Sequence, residues 1–361
     1  MGETRKLVHD AVGFTRERAG PAQAADTEGR MAKFAWLLLL GFGLGACSGM
    51  GSYTILVPPS QAAAPVHDLA VGRDGKRLAM AKALGAEPEH KSEAWELGVW
   101  SVDEGKMDFS RAPGEVTSAA FSPDGGMLAF VTQDGLWFID MNGKQAIGAL
   151  GSSGDQAPFL RMGQLRRVRF MAVGPSALAC GSDGVVAHRT SDNLQRVWLG
   201  KPECTALDVS RDGQGVALVF GLRDEHNLAE IRYAETGALL SQLRGHQDTI
   251  IDVCFTGRGQ VATASRDNTI RVWQAKSGQS LRAIPIPPVV TRLACSPGGH
   301  VLASAHSNDP TIHLWDADRG QSLGVLSGHD AAVTALAISP DGSTLYSGAQ
   351  DGSIFMWSLP R

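Results

Sequence analysis

The sequence has no concentration of basic residues, and this absence argues against a nucleic-acid-binding protein. Its 361 residues include 33 Lys and Arg against 37 Asp and Glu, a formal net charge of −4. A nucleic-acid interface needs a clustered basic face. The densest basic group is Arg161, Arg166, Arg167 and Arg169. Because Arg167 and Arg169 fall inside a predicted strand bounded by Leu165 and Phe170, we interpret the group as a solvated or salt-bridged strand face and not as a phosphate groove.

Motifs of catalysis and of metal binding are also missing. The chain contains no Gly-x-Ser-x-Gly elbow, no Walker loop and no His-Glu-x-x-His pair. Its five cysteines form no Cys-x-x-Cys pair, and four of them lie in apolar runs, which favours buried thiols over disulfides. His300, His306 and His313 are close in sequence, but His306 and His313 lie on different predicted strands that flank a turn. We interpret them as surface histidines of a hairpin, which need no ligand, and this disfavours a metal site. The sequence therefore predicts no catalytic residue, no metal and no cofactor.

A single apolar run lies near the amino terminus. Residues 1–30 are polar and without apolar periodicity, which predicts a disordered extension. Residues 31–46 have a short basic start at Lys33, continue through an apolar stretch and end in small residues, as a secretory signal peptide does. As a helix the apolar stretch would rise about 20 Å, short of the ~30 Å hydrocarbon core. An uncleaved membrane anchor is therefore the weaker alternative.

The end of this segment, Leu44-Gly45-Ala46-Cys47, resembles the lipobox of bacterial lipoproteins. The resemblance implies cleavage before Cys47, lipidation of its sulfur and a short lipidated linker over residues 47–52. It also implies a bacterial cell-envelope location facing the periplasm. Ser48 favours the outer membrane if the host is Gram-negative. The extension before Met31 departs from the family pattern, and we expect translation to begin at Met31.

The rest of the chain is repetitive. Its 43 glycines stand beside Asp, Asn, Ser and Pro, a composition typical of tight turns between short strands. Seven segments align on their first apolar residue, at intervals of 36 to 52 residues. They begin at Val66, Val116, Val168, Cys204, Ile250, Val290 and Val333. Six reach glycine at the tenth place, where a hairpin turn needs positive φ: Gly75, Gly125, Gly213, Gly259, Gly299 and Gly342.

The first six units each continue with three more short strands, and four strands in about 40 to 45 residues is the blade of a β-propeller. The sequence therefore predicts an all-β, seven-bladed propeller with four-stranded antiparallel blades over residues 53–361. The seventh unit holds only three strands before Arg361. We expect residues 53–57 to supply the fourth and close the ring, which removes an open sheet edge.

Two units carry a matched set of polar residues. Unit five has Gly245-His246, Thr263, Asp267 and Trp273, and unit seven has Gly328-His329, Ser347, Asp351 and Trp357. A carboxylate, an imidazole, a hydroxyl and an indole N–H can hydrogen-bond in that order. Both units resemble WD repeats in these residues. Unit six keeps Ser304, Asp309 and Trp315 but has Pro287-Pro288 where Gly-His is expected, so we predict an incomplete network there.

The WD-repeat resemblance implies a non-catalytic scaffold that docks a protein or peptide on the face where the Gly-His loops emerge. On this chain that face is predicted to include Asp248, Thr249, Arg266, Gln350 and Gln133. Asp252 and Arg292, at the third place of adjacent units, are expected to form an ion pair at the channel. No nucleic acid and no small-molecule substrate is expected. The alternative from another class is a propeller enzyme with its site in the central channel.

Overall fold

The computed structural model is built from β-strands throughout the residues it describes. These are residues 52–57, 65–83, 95–111, 115–132, 135–142, 145–147, 164–172, 176–189, 194–200, 203–221 and 227–360. Their 28 strands form seven four-stranded antiparallel sheets, and within a sheet each strand pairs with its neighbour along the chain except at one place. The predicted seven-bladed, all-β propeller is confirmed.

Blades and strands are both numbered in chain order, which in blades 1 to 6 runs from the innermost strand outward. Blade 1 comprises β2 (Val66–Val71), β3 (Arg77–Ala83), β4 (Trp95–Ser101) and β5 (Lys106–Arg111). Blade 2 comprises β6 (Val116–Phe121), β7 (Met127–Thr132), β8 (Gly135–Asp140) and β9 (Gln145–Ile147). Blade 3 comprises β10 (Leu165–Phe170), β11 (Ser176–Gly181), β12 (Gly184–Arg189) and β13 (Leu194–Gly200). Blade 4 comprises β14 (Cys204–Val209), β15 (Gly215–Phe220), β16 (Leu228–Tyr233) and β17 (Leu239–Arg244).

The remaining three blades complete the circle. Blade 5 comprises β18 (Ile250–Phe255), β19 (Gln260–Ser265), β20 (Thr269–Gln274) and β21 (Ser280–Pro285). Blade 6 comprises β22 (Val290–Cys295), β23 (Val301–His306), β24 (Ile312–Asp316) and β25 (Gln321–Leu326). Blade 7 comprises β26 (Val333–Ile338), β27 (Thr344–Ala349), β28 (Ile354–Ser358) and, from the front of the chain, β1 (Tyr53–Val57).

The ring closes through β1, as the sequence predicts. This strand pairs antiparallel with β28, Tyr53 opposite Trp357 and Ile55 opposite Phe355. The ring of Tyr53 stacks on Phe355 with centroids 4.9 Å apart. It also lies so close to Gly328 that a Cβ there would be 2.9 Å away. The innermost strands contact one another in sequence around the circle, and β26 of blade 7 contacts β2 of blade 1.

The hydrophobic core lies between the blades. Both faces of an inner strand are buried, as in β15, where all six residues are inaccessible. Leu314 of blade 6 and Leu336 and Phe355 of blade 7 belong to one such interblade cluster. Because both faces pack on neighbours, these strands are apolar at nearly every position instead of alternating. Packing of successive blades therefore holds the innermost strands in a fixed circle around the channel.

Each innermost strand carries a β-bulge at its second residue, between the first and third places, in all seven blades. A bulge re-aims the side chain that follows it, here the third-place residue beside the channel. In blade 3 the first place is Leu165, three residues before the Val168 that the sequence alignment assigned. The alignment was wrong there because blade 3 lacks the tenth-place glycine. Where that glycine is present its φ lies between 69° and 80°, as predicted.

Several predictions concern residues outside the described part of the chain. These are the extension over 1–30, the signal peptide over 31–46, Cys47 with its linker, and Gln133. Among the described residues, no helix is long and apolar enough to cross a membrane.

Candidate functional site

The four predicted residues of blade 5 meet in one buried hydrogen-bonded chain. Asp267 Oδ2 lies 2.8 Å from His246 Nδ1, and Thr263 Oγ1 lies 2.7 Å from Nε2 of the same ring. Trp273 Nε1–H donates to Thr263 Oγ1 over 2.8 Å. Because a carboxylate can only accept, Nδ1 carries the proton and Nε2 accepts from the threonine hydroxyl. The chain ties the loop before β18 to β19 and β20.

Blade 7 builds the corresponding chain with one difference. His329 Nε2 lies 2.7 Å from Ser347 Oγ, which accepts from Trp357 Nε1–H over 2.7 Å. His329 Nδ1, however, lies 2.9 Å from Ser353 Oγ, and Ser353 in turn donates to Asp351 over 2.6 Å. The direct His329 to Asp351 contact expected from the sequence is replaced by a serine relay. The equivalent residue of blade 5, Thr269, is 3.4 Å from its histidine and leaves the direct contact in place.

Blade 6 replaces the missing Gly-His histidine with His306 from its own strand β23. Trp315 Nε1–H donates to Ser304 Oγ over 3.0 Å, and Ser304 Oγ lies 3.0 Å from His306 Nε2. The Pro288 carbonyl, 3.4 Å from His306 Nδ1, stands where the other blades use a side chain. His306 is 2% exposed, so treating it as a surface histidine was wrong. The network that the sequence left incomplete is completed locally.

The histidines of these chains are held neutral. Burial lowers the pKa of His329 to about 4, and the charge of Asp351 only partly offsets it. Burial also lowers the pKa of His246, against the hydrogen bond and charge of Asp267. Burial opposes ionisation of Asp267, but hydrogen bonds from Thr269, the Gln247 N–H and His246 leave its pKa lowered. An uncharged imidazole between fixed partners orders a loop and is poorly suited to proton transfer at neutral pH.

These chains order one face of the propeller, the face at which the innermost strands begin, which we call the tetrad face. Arg266 and Gln350 occupy equivalent, exposed positions on it. Their backbone N–H groups donate to Thr249 O over 2.9 Å and to Ala332 O over 3.0 Å. Asp248 is exposed and Thr249 half-buried beside them. Four of the five predicted face residues thus share this face, and Gln133 is outside the described residues.

The tetrad face also carries an apolar feature that the repeat pattern did not predict. Val289 is 55% exposed and has a φ of 59°, a left-handed conformation rare for a β-branched residue. Its carbonyl accepts from Ser307 N–H, so it occupies the place that Thr249 has in blade 5. The signal was present as Pro287-Pro288 in place of Gly-His. Pro288 and Val289 thus add exposed apolar surface to the face that carries the exposed polar side chains of Asp248, Arg266 and Gln350.

The channel is crossed by buried charges at the third places of the innermost strands. Arg167 of blade 3 lies 3.5 Å from Asp68 of blade 1 and 3.8 Å from Asp252 of blade 5. Burial lowers the pKa of Arg167, but Asp252 and Asp68 outweigh it, so the pKa is raised overall. The intervening third-place residues, Ser118 and Ala206, are small, which leaves room for the arginine to span the channel.

The expected ion pair between Asp252 and Arg292 was wrong. Asp252 faces Arg167, while Arg292 donates to the carbonyls of Thr291 over 2.9 Å and His67 over 3.3 Å. Burial and the neighbouring Arg167 lower the pKa of Arg292 to about 10. Ala335 at the third place of blade 7 is too small to obstruct this reach to blade 1. Asp252 and Arg292 thus do not pair, although they occupy the same place in adjacent blades.

The channel carboxylates also accept backbone N–H groups of the following blade. Asp68 accepts from Ala119 N–H over 3.2 Å, and Asp252 accepts from Leu293 N–H over 3.1 Å. Asp68 and Asp252 therefore each link their own blade to the next one by a hydrogen bond. Within the described ranges, no three His, Cys, Asp or Glu side chains are grouped so that they could hold a metal ion.

A disulfide joins two blades. Cys254 of β18 and Cys295 of β22 are bonded, with Cα atoms 5.8 Å apart. The preference for buried thiols was wrong for this pair, because their apolar strands become neighbours only when blades 5 and 6 pack. Cys180 and Cys204 are buried free thiols, as the sequence favoured.

The blades that contain these hydrogen-bonded chains also match a known family. Residues 237–274, 281–316 and 320–358 match the family described as WD domain, G-beta repeat. These three segments are WD40 repeats. Each WD40 repeat begins in the outermost strand of one blade and runs through the first three strands of the next. That offset is why the last blade needs a strand from the front of the chain.

Similar proteins carry related repeats over part of their length. The Arabidopsis thaliana protein named Target of rapamycin complex subunit LST8-1 is 37% identical over 100 residues, 27% of this chain and 33% of that protein. Protein ROOT INITIATION DEFECTIVE 3 of the same plant is 32% identical over 182 residues, 49% of this chain and 37% of the relative. Anaphase-promoting complex subunit cdh1 of Dictyostelium discoideum is 35% identical over 129 residues, 34% of this chain and 17% of the relative.

The matches thus span between 17% and 37% of the length of these three relatives. WD40-repeat homologues are in general scaffolds or interaction proteins that bind protein partners. These relatives are eukaryotic, and they lend no support to the bacterial-envelope setting expected from the lipobox.

Proposed function

We propose that this propeller is a non-catalytic scaffold that docks a partner protein on its tetrad face. The observation that carries the proposal is the exposure of Arg266 and Gln350 at equivalent places above two rigid hydrogen-bonded chains. Arginine is enriched among residues that dominate binding energy, and a preorganised surface loses little entropy on binding. The apolar Val289 beside them supplies surface that a partner can desolvate.

The docking face is tested by crosslinking in the native host, followed by mass spectrometry of co-purified proteins. We expect Arg266→Ala with Gln350→Ala to abolish the partner set recovered with the wild type. The matched control is Arg282→Ala, an exposed arginine on the outermost strand β21 of the same blade. Recovery of the same partners with the double variant would place docking elsewhere.

We further propose that the propeller is lipid-anchored in a bacterial cell envelope, through Cys47 and facing the periplasm. Two observations support this setting: the lipobox-like Leu44-Gly45-Ala46-Cys47 and the Cys254–Cys295 disulfide. Disulfides persist in oxidising compartments and are rare in the cytosol.

The anchor is tested with radiolabelled fatty acid, which should enter the wild type and not Cys47→Ala. Labelling of both proteins alike would reject Cys47 as the lipidated residue. A wild-type chain that keeps residues 31–46 in the membrane fraction would instead support the uncleaved anchor.

A further inference from the structure

A concave feature of the described residues lies at the opposite end of the channel from the tetrad face. It is a cavity of about 1260 Å³, lined by residues from all seven blades, which we call the basal cavity. The innermost strands begin at the tetrad face and end here. The sixth residue of every innermost strand lines its wall, and three of these are Phe121, Phe170 and Phe255. The wall is therefore an apolar ring.

The mouth of the basal cavity is cationic, although the whole chain carries a net charge of −4. Four basic side chains line it, Arg73, Arg211, Arg258 and Lys276, against two acids, Asp208 and Asp212. Arg258 is ion-paired with Asp318 over 3.1 Å. Both acids that line the mouth already have partners within the protein. Asp208 accepts from Phe255 N–H over 2.8 Å and lies 3.6 Å from Arg169. Asp212 accepts from Ser210 Oγ–H over 2.6 Å within its own turn.

Two arginines at the mouth have no carboxylate partner among the described residues. Arg73 of blade 1 donates to Ala172 O of blade 3 over 3.5 Å, and Arg211 of blade 4 donates to Pro340 O of blade 7 over 3.1 Å. Each thus reaches across the opening to a backbone carbonyl, and each is exposed. A guanidinium has five N–H donors and matches a carboxylate with two parallel hydrogen bonds. Among the residues that the structure describes, each of these guanidinium groups makes this one hydrogen bond.

From this geometry we propose that the basal cavity binds an acidic peptide segment of a partner protein, one that carries an aromatic or large aliphatic side chain. The apolar side chain of the peptide would enter the phenylalanine-rich ring. Its flanking carboxylates would accept hydrogen bonds from Arg73 and Arg211, in place of the backbone carbonyls that now accept them. The volume exceeds the 300 to 1,000 Å³ typical of small-molecule sites, which favours a peptide. This site is separate from the tetrad face, so a partner could occupy either face alone.

The test is a selection of random displayed peptides on the full-length protein, followed by fluorescence anisotropy with synthetic peptides. We expect the selected sequences to combine Asp or Glu with Phe or Leu. The probe Asp-Glu-Phe-Asp-Leu-Glu should bind about tenfold or more tightly than its amide counterpart Asn-Gln-Phe-Asn-Leu-Gln, because charge-assisted hydrogen bonds are lost in the latter. Arg73→Ala with Arg211→Ala should weaken the acidic probe by a similar factor.

Two controls separate this site from the tetrad face and from misfolding. Arg266→Ala with Gln350→Ala should leave the affinity of the acidic probe unchanged, as should Arg282→Ala. Thermal melts should coincide for all variants, because each altered side chain is exposed. Selection of neutral or basic peptides, selection of no peptide, or equal affinity for the Arg73 and Arg211 double variant would overturn the proposal. Phenylacetate binding as tightly as the selected peptides would assign the cavity to a small carboxylic acid and also overturn it.

Discussion

Replacing Thr263 with valine isolates the contribution of one buried hydroxyl. Thr263 is fully buried, and valine has nearly its shape. The hydroxyl donates to His246 Nε2 and accepts from Trp273 Nε1–H, at 2.7 and 2.8 Å. The variant would therefore leave one buried acceptor and one buried donor without partners. Each such group costs ~1–3 kcal/mol. We expect Thr263→Val to lower the free energy of unfolding by about 3 to 4 kcal/mol.

The measurement is equilibrium unfolding in urea, followed by tryptophan fluorescence and circular dichroism. The matched control is Thr236→Val, an exposed threonine whose hydroxyl accepts only Ala238 N–H over 3.3 Å. It should change stability by less than about 0.5 kcal/mol. If Thr263→Val were as stable as that control, the hydrogen-bonded chain of blade 5 would not be what holds its entering loop.

Three further predictions concern acid, ring closure and oxidation. Burial lowers the pKa of His329 to about 4. Between pH 6.5 and about pH 4, His329 is therefore protonated in the unfolded chain and neutral in the folded chain. Stability from this residue is complete above pH 6.5 and should fall by about 3 kcal/mol at pH 4, a slope that urea titrations of His329→Gln should show reduced. Deletion of residues 53–57 should lower the melting temperature by many degrees because β28 becomes an open edge, and an unchanged melt would reject closure by β1. Alkylation in denaturant without reductant should label Cys180 and Cys204 but not Cys254 and Cys295. Labelling of all four cysteines would contradict the disulfide. Because the bridge closes a loop of 41 residues, its reduction should lower the free energy of unfolding by about 4 kcal/mol by the chain-entropy estimate.

The blade 5 chain was predictable from sequence because its spacing is local. Thr263, Asp267 and Trp273 lie on the hairpin of β19 and β20, whose register sets Thr263 opposite Arg271, two residues before Trp273. Blade 6 shows where such reasoning stops. His306 is two residues beyond Ser304 on the same strand, and only its orientation in the folded blade allows it to replace the absent loop histidine.

The basal cavity was not predictable from the sequence, although each residue of its wall lies in a strand or turn that the repeat pattern covers. Phe121, Phe170 and Phe255 each end an ordinary apolar strand, and nothing in one repeat indicates that the ends of seven strands converge. Arg73 and Arg211 follow the innermost strands β2 and β14, in turns that resemble any solvated turn. Their acceptors are 99 and 129 residues away along the chain.

The sequence by itself determined the seven blades, the positive-φ glycines of their turns and the closing strand, because strand length, turn chemistry and repeat spacing act over a few residues. Tertiary structure alone decided that Arg167 pairs with Asp68 and Asp252, that Cys254 meets Cys295, and that the channel ends in a cationic, apolar-walled mouth. Those contacts join different blades, and their geometry exists only after interblade packing has set the position of every innermost strand in the ring.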